Sequence, residues 1–133
     1  MLDDHLLNRS LFDLGEVLPV SNIQKTGLIS VCEKAINKKL KDLSPNEIRV
    51  LVGQSISLSY VVPLALDLLE RDPLIFAGRY KGDLLVRVLD IPKSFWIENQ
   101  ELNDRMVELK ITVEEIFETI NDEIIPKFSG FEY

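Results

Sequence analysis

The chain has 133 residues, 46% hydrophobic and 28% charged, with a formal net charge of −7. That size and apolar content suit one core of ordinary size and exclude a disordered chain. Its strongest apolar run, SLSYVVPLALDLL, is interrupted by Pro63 and Asp67 and falls well short of the roughly 20 residues that cross a bilayer. An acidic surface repels phosphate, which argues against direct binding of DNA or RNA.

The first residues, MLDDHLLNRS, open with acids rather than a basic segment, so they do not read as a secretory signal. Cys32 is the single cysteine and has no internal partner for a disulfide. Together these features predict one domain over 1–133 in the cytoplasm. Residues 10–16, SLFDLGE, predict a short helical turn after Ser10 that ends at Gly15, and Pro19 keeps the next stretch extended. Ser21 and Gln24 have capping-box spacing, and Leu28, Val31, Cys32, Ala35, Ile36 and Leu40 follow at helical spacing.

Ser44-Pro45-Asn46-Glu47 is the strongest helix start in the chain. Ser44 can cap, Pro45 suits the first helical position, and Glu47 can reach back to the cap amide. Ile48, Leu51, Val52 and Ile56 form the stripe expected to be buried. Ser57 or Ser59 begins the next helix, with Pro63 expected in its first turn, where amides lack helical partners. Leu64, Ala65, Leu68 and Leu69 make this helix apolar on most sides, so it is predicted to be central. Asp72-Pro73 ends it. Gly78 and Gly82 bracket a loop, Asp83 is placed to cap a helix over Leu84–Asp90, and Pro92 introduces a turn carrying Phe95 and Trp96.

Residues 98–110 predict a polar helix with Leu102, Met106 and Leu109 inward. Thr112-Val113-Glu114-Glu115 reads as a second capping box opening a last helix. Val113, Ile116, Phe117, Ile120 and Ile124 form the face expected to be buried, and Glu114, Glu118 and Asp122 an acidic stripe opposite. The tail KFSGFEY leaves room for a minor edge strand. The expected class is therefore all-α, a compact bundle of about six to eight helices. Charge is uneven along it: residues 1–97 carry 12 acids and 12 bases, whereas 98–133 carry 10 acids and three bases.

Little in the chain is arranged for chemistry. His5 is the only histidine and has no identifiable partner, while Cys32 falls on an apolar helix face, where a thiol behaves as a small hydrophobe. No P-loop, GxGxxG, CxxC, HExxH or GxSxG motif occurs. Gly78-Arg79-Tyr80-Lys81-Gly82-Asp83 combines glycines, bases and a helix start, but Asp83 would repel a phosphate there. The sequence thus predicts no catalytic residue, metal site, cofactor or small-molecule substrate. Trp96 and Phe95 read as core packing.

The run Leu43-Ser44-Pro45-Asn46-Glu47-Ile48-Arg49, then Gly53-Gln54, Leu58-Ser59-Tyr60-Val61-Val62-Pro63-Leu64-Ala65-Leu66, Asp72-Pro73-Leu74, Tyr80-Lys81-Gly82-Asp83-Leu84-Leu85 and Phe95-Trp96 resembles the immunity proteins of bacterial contact-dependent growth inhibition (CDI) systems. The likeness covers residues 40–97 well and 10–40 more loosely. It implies a cytoplasmic, non-enzymatic protein that binds the C-terminal toxin domain of a CDI effector one-to-one, a domain that is often a nuclease and frequently acts on RNA. It also marks Ser44, Pro45, Arg49, Gln54, Tyr60, Pro63, Gly82, Asp83 and Trp96 as scaffold, with Arg49, Gln54, Tyr60 and Asp83 expected in a buried polar network. Two surfaces are candidates for toxin contact: the acidic stripe Glu114, Glu115, Glu118 and Asp122, and the loop with Arg79, Tyr80 and Asp83. The alternative from another class is a helical adaptor or regulator of a cytoplasmic complex with no toxin partner.

Overall fold

The capping box at Ser44 starts a central helix against which three others pack. The structure, a computed structural model, describes residues 2–16 and 27–132. In chain order its α-helices are α1 (Asp4–Leu7), α2 (Gly27–Ile36), α3 (Pro45–Gly53), α4 (Leu58–Arg71), α5 (Asp83–Leu89), α6 (Lys93–Glu98) and α7 (Gln100–Thr119). A 3-10 turn, Leu40–Asp42, lies between α2 and α3. A π turn, Ile120–Ile124, and a final 3-10 turn, Ile125–Phe128, continue α7. Among the described residues there is no β-strand, only two isolated antiparallel bridges, Ser10 with Lys39 and Phe76 with Lys81. The fold is all-α, and the final 3-10 turn ends at Phe128, with no strand among the described tail residues where the sequence left room for one.

Ser44 Oγ accepts from the Glu47 amide at 3.1 Å, and Glu47 Oε1 accepts from the Ser44 amide at 3.0 Å. Lys38 Nζ adds a 3.0 Å bond to the same carboxylate oxygen. Burial pushes the Glu47 carboxyl up, but the Ser44 and Lys38 hydrogen bonds outweigh it and hold the group below its usual range. Helix α3 packs against α2, α4 and α5, so all six residues from Glu47 to Val52 are buried rather than one stripe. It closes with a paired motif: Ile56 N–H donates to Leu51 O and Ser55 N–H to Val52 O, each at 3.0 Å. Ser55 takes the left-handed conformation (φ 55°) that this ending requires and that usually selects glycine.

Helix α4 shares the centre with α3, and its Val61, Val62, Leu66 and Leu69 are wholly buried. Leu68, expected inside, is only half-buried. Pro63 also departs from expectation. Tyr60 and Val61 amides both donate to Ser57 O, so the helix is already formed at Leu58 and Pro63 lies in its interior. The carbonyl left without its helical donor belongs to Ser59, an exposed residue, where water can replace it.

The N-terminal segment is tied back by Phe12 N–H to Ile36 O (2.8 Å) and Leu40 N–H to Arg9 O (2.9 Å), which buries Leu11 completely. Within it, Ser10 and Asp13 cap each other and Gly15 (φ 99°) ends the turn. The helix start predicted at Ser21 lies outside the described residues. Phe95 and Trp96 stack edge-to-face at 5.1 Å and pack half-buried against the core.

The largest departure is at the C-terminal end. No break separates residues 98–110 from 113–124, because α7 runs straight through Thr112. Thr112 Oγ1 donates back to Glu108 O at 3.3 Å, as a mid-helix threonine does, and does not cap. Leu109 is the one buried residue of α7.

Candidate functional site

Two arrangements support the candidate surfaces: a buried polar knot beneath the 76–83 loop and the mount of α7. In the knot, Arg49 Nε donates to Ala77 O at 2.9 Å, while Arg49 Nη2 donates to Asn46 Oδ1 at 2.8 Å. Asp83 Oδ1 accepts from the Ala77 amide at 2.8 Å, and Oδ2 accepts from the Arg79 and Tyr80 amides at 2.8 and 3.3 Å. Arg49 Nε and Asp83 Oδ2 lie 3.8 Å apart, with both side chains almost fully buried. Burial pushes the Asp83 carboxyl up, but its backbone hydrogen bonds outweigh that and hold it below the ordinary aspartate value. Two bends make the geometry possible: Gly78 at φ 115° and Gly82 at φ 95°. At Gly78 a side chain would also collide with the Asn46 amide.

Arg49 and Asp83 therefore come together, joined by Asn46, whose part has no local signature in the sequence. Gln54 and Tyr60 do not join them. Gln54 is exposed and contributes its backbone N–H to the end of α3, whereas Tyr60 is half-buried against the core. Asp83, a candidate for toxin contact from the sequence, is 2% exposed and unavailable to a partner, because its carboxylate is spent on the loop's own amides. What the knot presents is the loop's outer side: Phe76, Arg79 and Tyr80, all exposed.

The second mount is Arg105. Its guanidinium reaches from α7 to α4, bonding Asp67 Oδ1 at 2.7 Å and Glu70 Oε1 and Oε2 at 2.5 and 3.1 Å. These bonds hold the Glu70 carboxyl below its usual range. With Leu109 beside them, they fix the first half of α7 to the body. Beyond Leu109 the helix leaves the core: among the described residues, the π turn and the final turn pack on no helical element except α7 and each other. Glu114, Glu115, Glu118 and Asp122 are all exposed on this arm.

The expected inner face of the arm is not buried. Val113 and Ile116 are half-buried, but Phe117 is 65% exposed and Phe128 59%, and Ile120, Ile124, Ile125 and Phe131 are exposed as well. The amphipathic pattern is real, but among the described residues nothing packs over it. Periodicity says which side seeks cover and not whether the same chain supplies it. Between the arm's base and α5 lies an apolar cleft of about 150 Å³, lined by Leu85, Leu89, Met106, Leu109 and Val113. Nothing local in the sequence announces this cleft, which depends on two helices meeting in space.

Elsewhere the chemistry is sparse. His5 is exposed and Cys32 is buried, where burial pushes its thiol up and away from the reactive thiolate. No cluster of metal-ligating side chains occurs among the described residues. No described helix is long and apolar enough to cross a membrane.

The family model for CDI immunity proteins matches residues 14–106. The chain belongs to that family. No characterised protein and no solved structure matches it. As a CDI immunity protein its partner is a cognate CDI toxin, which it neutralises; that decides against an adaptor without a toxin partner. Proteins of this family are generally non-enzymatic. The match takes in α2 to α6, the loop knot and the Arg105 mount, then stops at Met106. The arm lies beyond it.

Proposed function

We propose that this immunity protein neutralises its toxin one-to-one in the cytoplasm by covering the active site or nucleic-acid cleft of a basic nuclease domain, most simply an RNase. The observation that carries this reading is the placement of charge. Residues 1–97 balance 12 acids against 12 bases, so the whole excess of −7 falls on 98–133, the segment that bears the exposed arm.

A nuclease must be electropositive where it holds its substrate. An acidic arm steers toward such a cleft, accelerates encounter and competes with nucleic acid for the same charges. The scaffold stays neutral, so the arm's field also orients the approach. The Arg105 bonds to Asp67 and Glu70 and the burial of Leu109 hold the base of the arm on the body, which limits the ordering cost of association.

Co-expression with the C-terminal domain encoded by the reading frame directly upstream tests the proposal. The two chains should co-purify as a 1:1 complex, cells should survive the toxin, and purified immunity protein should abolish cleavage of total RNA. A toxin domain that is not a nuclease, or a complex that leaves cleavage intact, would contradict it.

A further inference from the structure

We propose that the apolar side of the arm, Phe117, Ile120, Ile124 and Phe128 with Phe131 at its end, is the element that docks, lying as a helix in an apolar groove of the toxin domain bordered by lysines and arginines. This rests on the reading that the protein binds a basic toxin, and adds how.

Three observations carry it. The stripe begins at Leu109, buried in the body, and continues along the same face into open solvent, so it is a core-type surface that the described residues leave uncovered. Its size is the second. Phe117, Phe128 and Phe131 are 65%, 59% and 77% exposed, and with Ile120, Ile124 and Ile125 they offer on the order of 600 Å² of apolar area. That is as large as the largest apolar patch usual on a monomer, and most of the roughly 800 Å² each partner buries in a stable complex. Phe128 and Phe131 already stack edge-to-face at 6.0 Å beside Ile124 and Lys127, giving the stripe an aromatic end.

Charge, the third, selects the occupant. Glu114, Glu118 and Asp122 line the arm's other side, and Lys110 and Lys127 are the only bases on residues 107–132. A second copy would bring the same acids against them, and an anionic bilayer would be repelled, since helices that lie on membranes carry Lys and Arg on the polar face. A groove with an apolar floor and basic walls satisfies both sides of the arm at once. This is the helix-in-groove mode, with anchors at helical spacing. The arm is outside residues 14–106, so the family scaffold is free to hold it without specifying it.

The experiment uses the full chain, the upstream-encoded toxin domain and biolayer interferometry. The variant Phe117→Ser/Ile124→Ser/Phe128→Ser changes only exposed residues, so its melting temperature should match the parent. It should dissociate about a hundred-fold faster, with an association rate within about three-fold of the parent. Phe76→Ser/Tyr80→Ser on the loop should leave dissociation within about three-fold. Parent-like dissociation of the arm variant, or loss of binding by the loop variant alone, overturns the proposal while leaving toxin neutralisation intact. A parent dimer that the arm variant converts to monomer, with toxin binding unchanged, overturns it in favour of self-association. Parent binding to phosphatidylcholine/phosphatidylglycerol vesicles that the arm variant loses, again with toxin binding unchanged, overturns it in favour of a lipid surface. Failure of the parent itself to bind the toxin domain overturns the underlying reading instead.

Discussion

Asp83→Asn isolates the knot that shapes the 76–83 loop. The side chain keeps its size, but one carboxylate oxygen becomes an NH2 group. Asp83 Oδ1 serves the Ala77 amide and Oδ2 serves the Arg79 and Tyr80 amides, so the variant retains one acceptor and turns a donor toward amides or the Arg49 guanidinium. Losing a hydrogen bond to a buried charged group costs about 1.5–3 kcal/mol, and Arg49 is left 7% exposed without its counter-charge. The expected loss is about 3 kcal/mol, a fall in melting temperature of roughly 10 °C for a chain this size. Urea unfolding followed by circular dichroism at pH 7 gives the free energy directly. The pH dependence supplies a second check. The folded-state pKa of Asp83 is depressed, so its contribution is fully present above the unfolded value of about 3.9 and is lost as pH falls through the folded one. The gap between parent and variant should therefore be constant at neutral pH and shrink below about pH 4. An Asp83→Asn variant within about 0.5 kcal/mol of the parent at pH 7, or a gap that widens in acid, would refute the assignment of the carboxylate as the loop's organiser.

Gly78→Ala should cost more than about 2 kcal/mol in the same assay, since it combines a left-handed backbone with displacement of the Asn46 amide that braces Arg49. Leu69→Ala should lose about 2–5 kcal/mol, Leu68→Ala distinctly less, and Glu118→Ala should stay within about 0.5 kcal/mol; equal losses at 68 and 69 would mean α4 is rotated from its described position. Reversing Glu114, Glu118 and Asp122 to lysine should slow association with the toxin domain about ten-fold or more at low salt, with the difference shrinking toward about 0.5 M salt and melting unchanged. Unchanged rates would reduce the acidic stripe to a solvated face.

Much of the scaffold is legible in the sequence because its signals are local. Ser44-Pro45-Asn46-Glu47 specifies a helix start through hydrogen bonds spanning three residues, and Asp72-Pro73 stops α4 at Arg71. Where the deciding contacts are non-local, the sequence misleads. Pro63 reads as a first-turn residue because it lacks an amide donor, yet an exposed Ser59 lets the helix start earlier. Thr112 and Glu115 have the spacing of a cap, but the Arg105 bonds and the burial of Leu109 carry α7 through them. Asp83 reads both as a member of a buried polar network and as a contact residue, and its three amide partners, recognisable only once the loop has closed, place it in the network. The arm's apolar face is visible as a pattern, and only the structure shows that nothing described in the chain covers it.

One-to-one neutralisation of a nuclease toxin is read out by titrating RNA cleavage by a fixed amount of the upstream-encoded toxin domain, well above its dissociation constant, with purified immunity protein. Activity should fall linearly and reach zero at an equimolar ratio. Complete inhibition at a small fraction of an equivalent would indicate catalytic inactivation, and full activity at excess would show that this domain is not the partner.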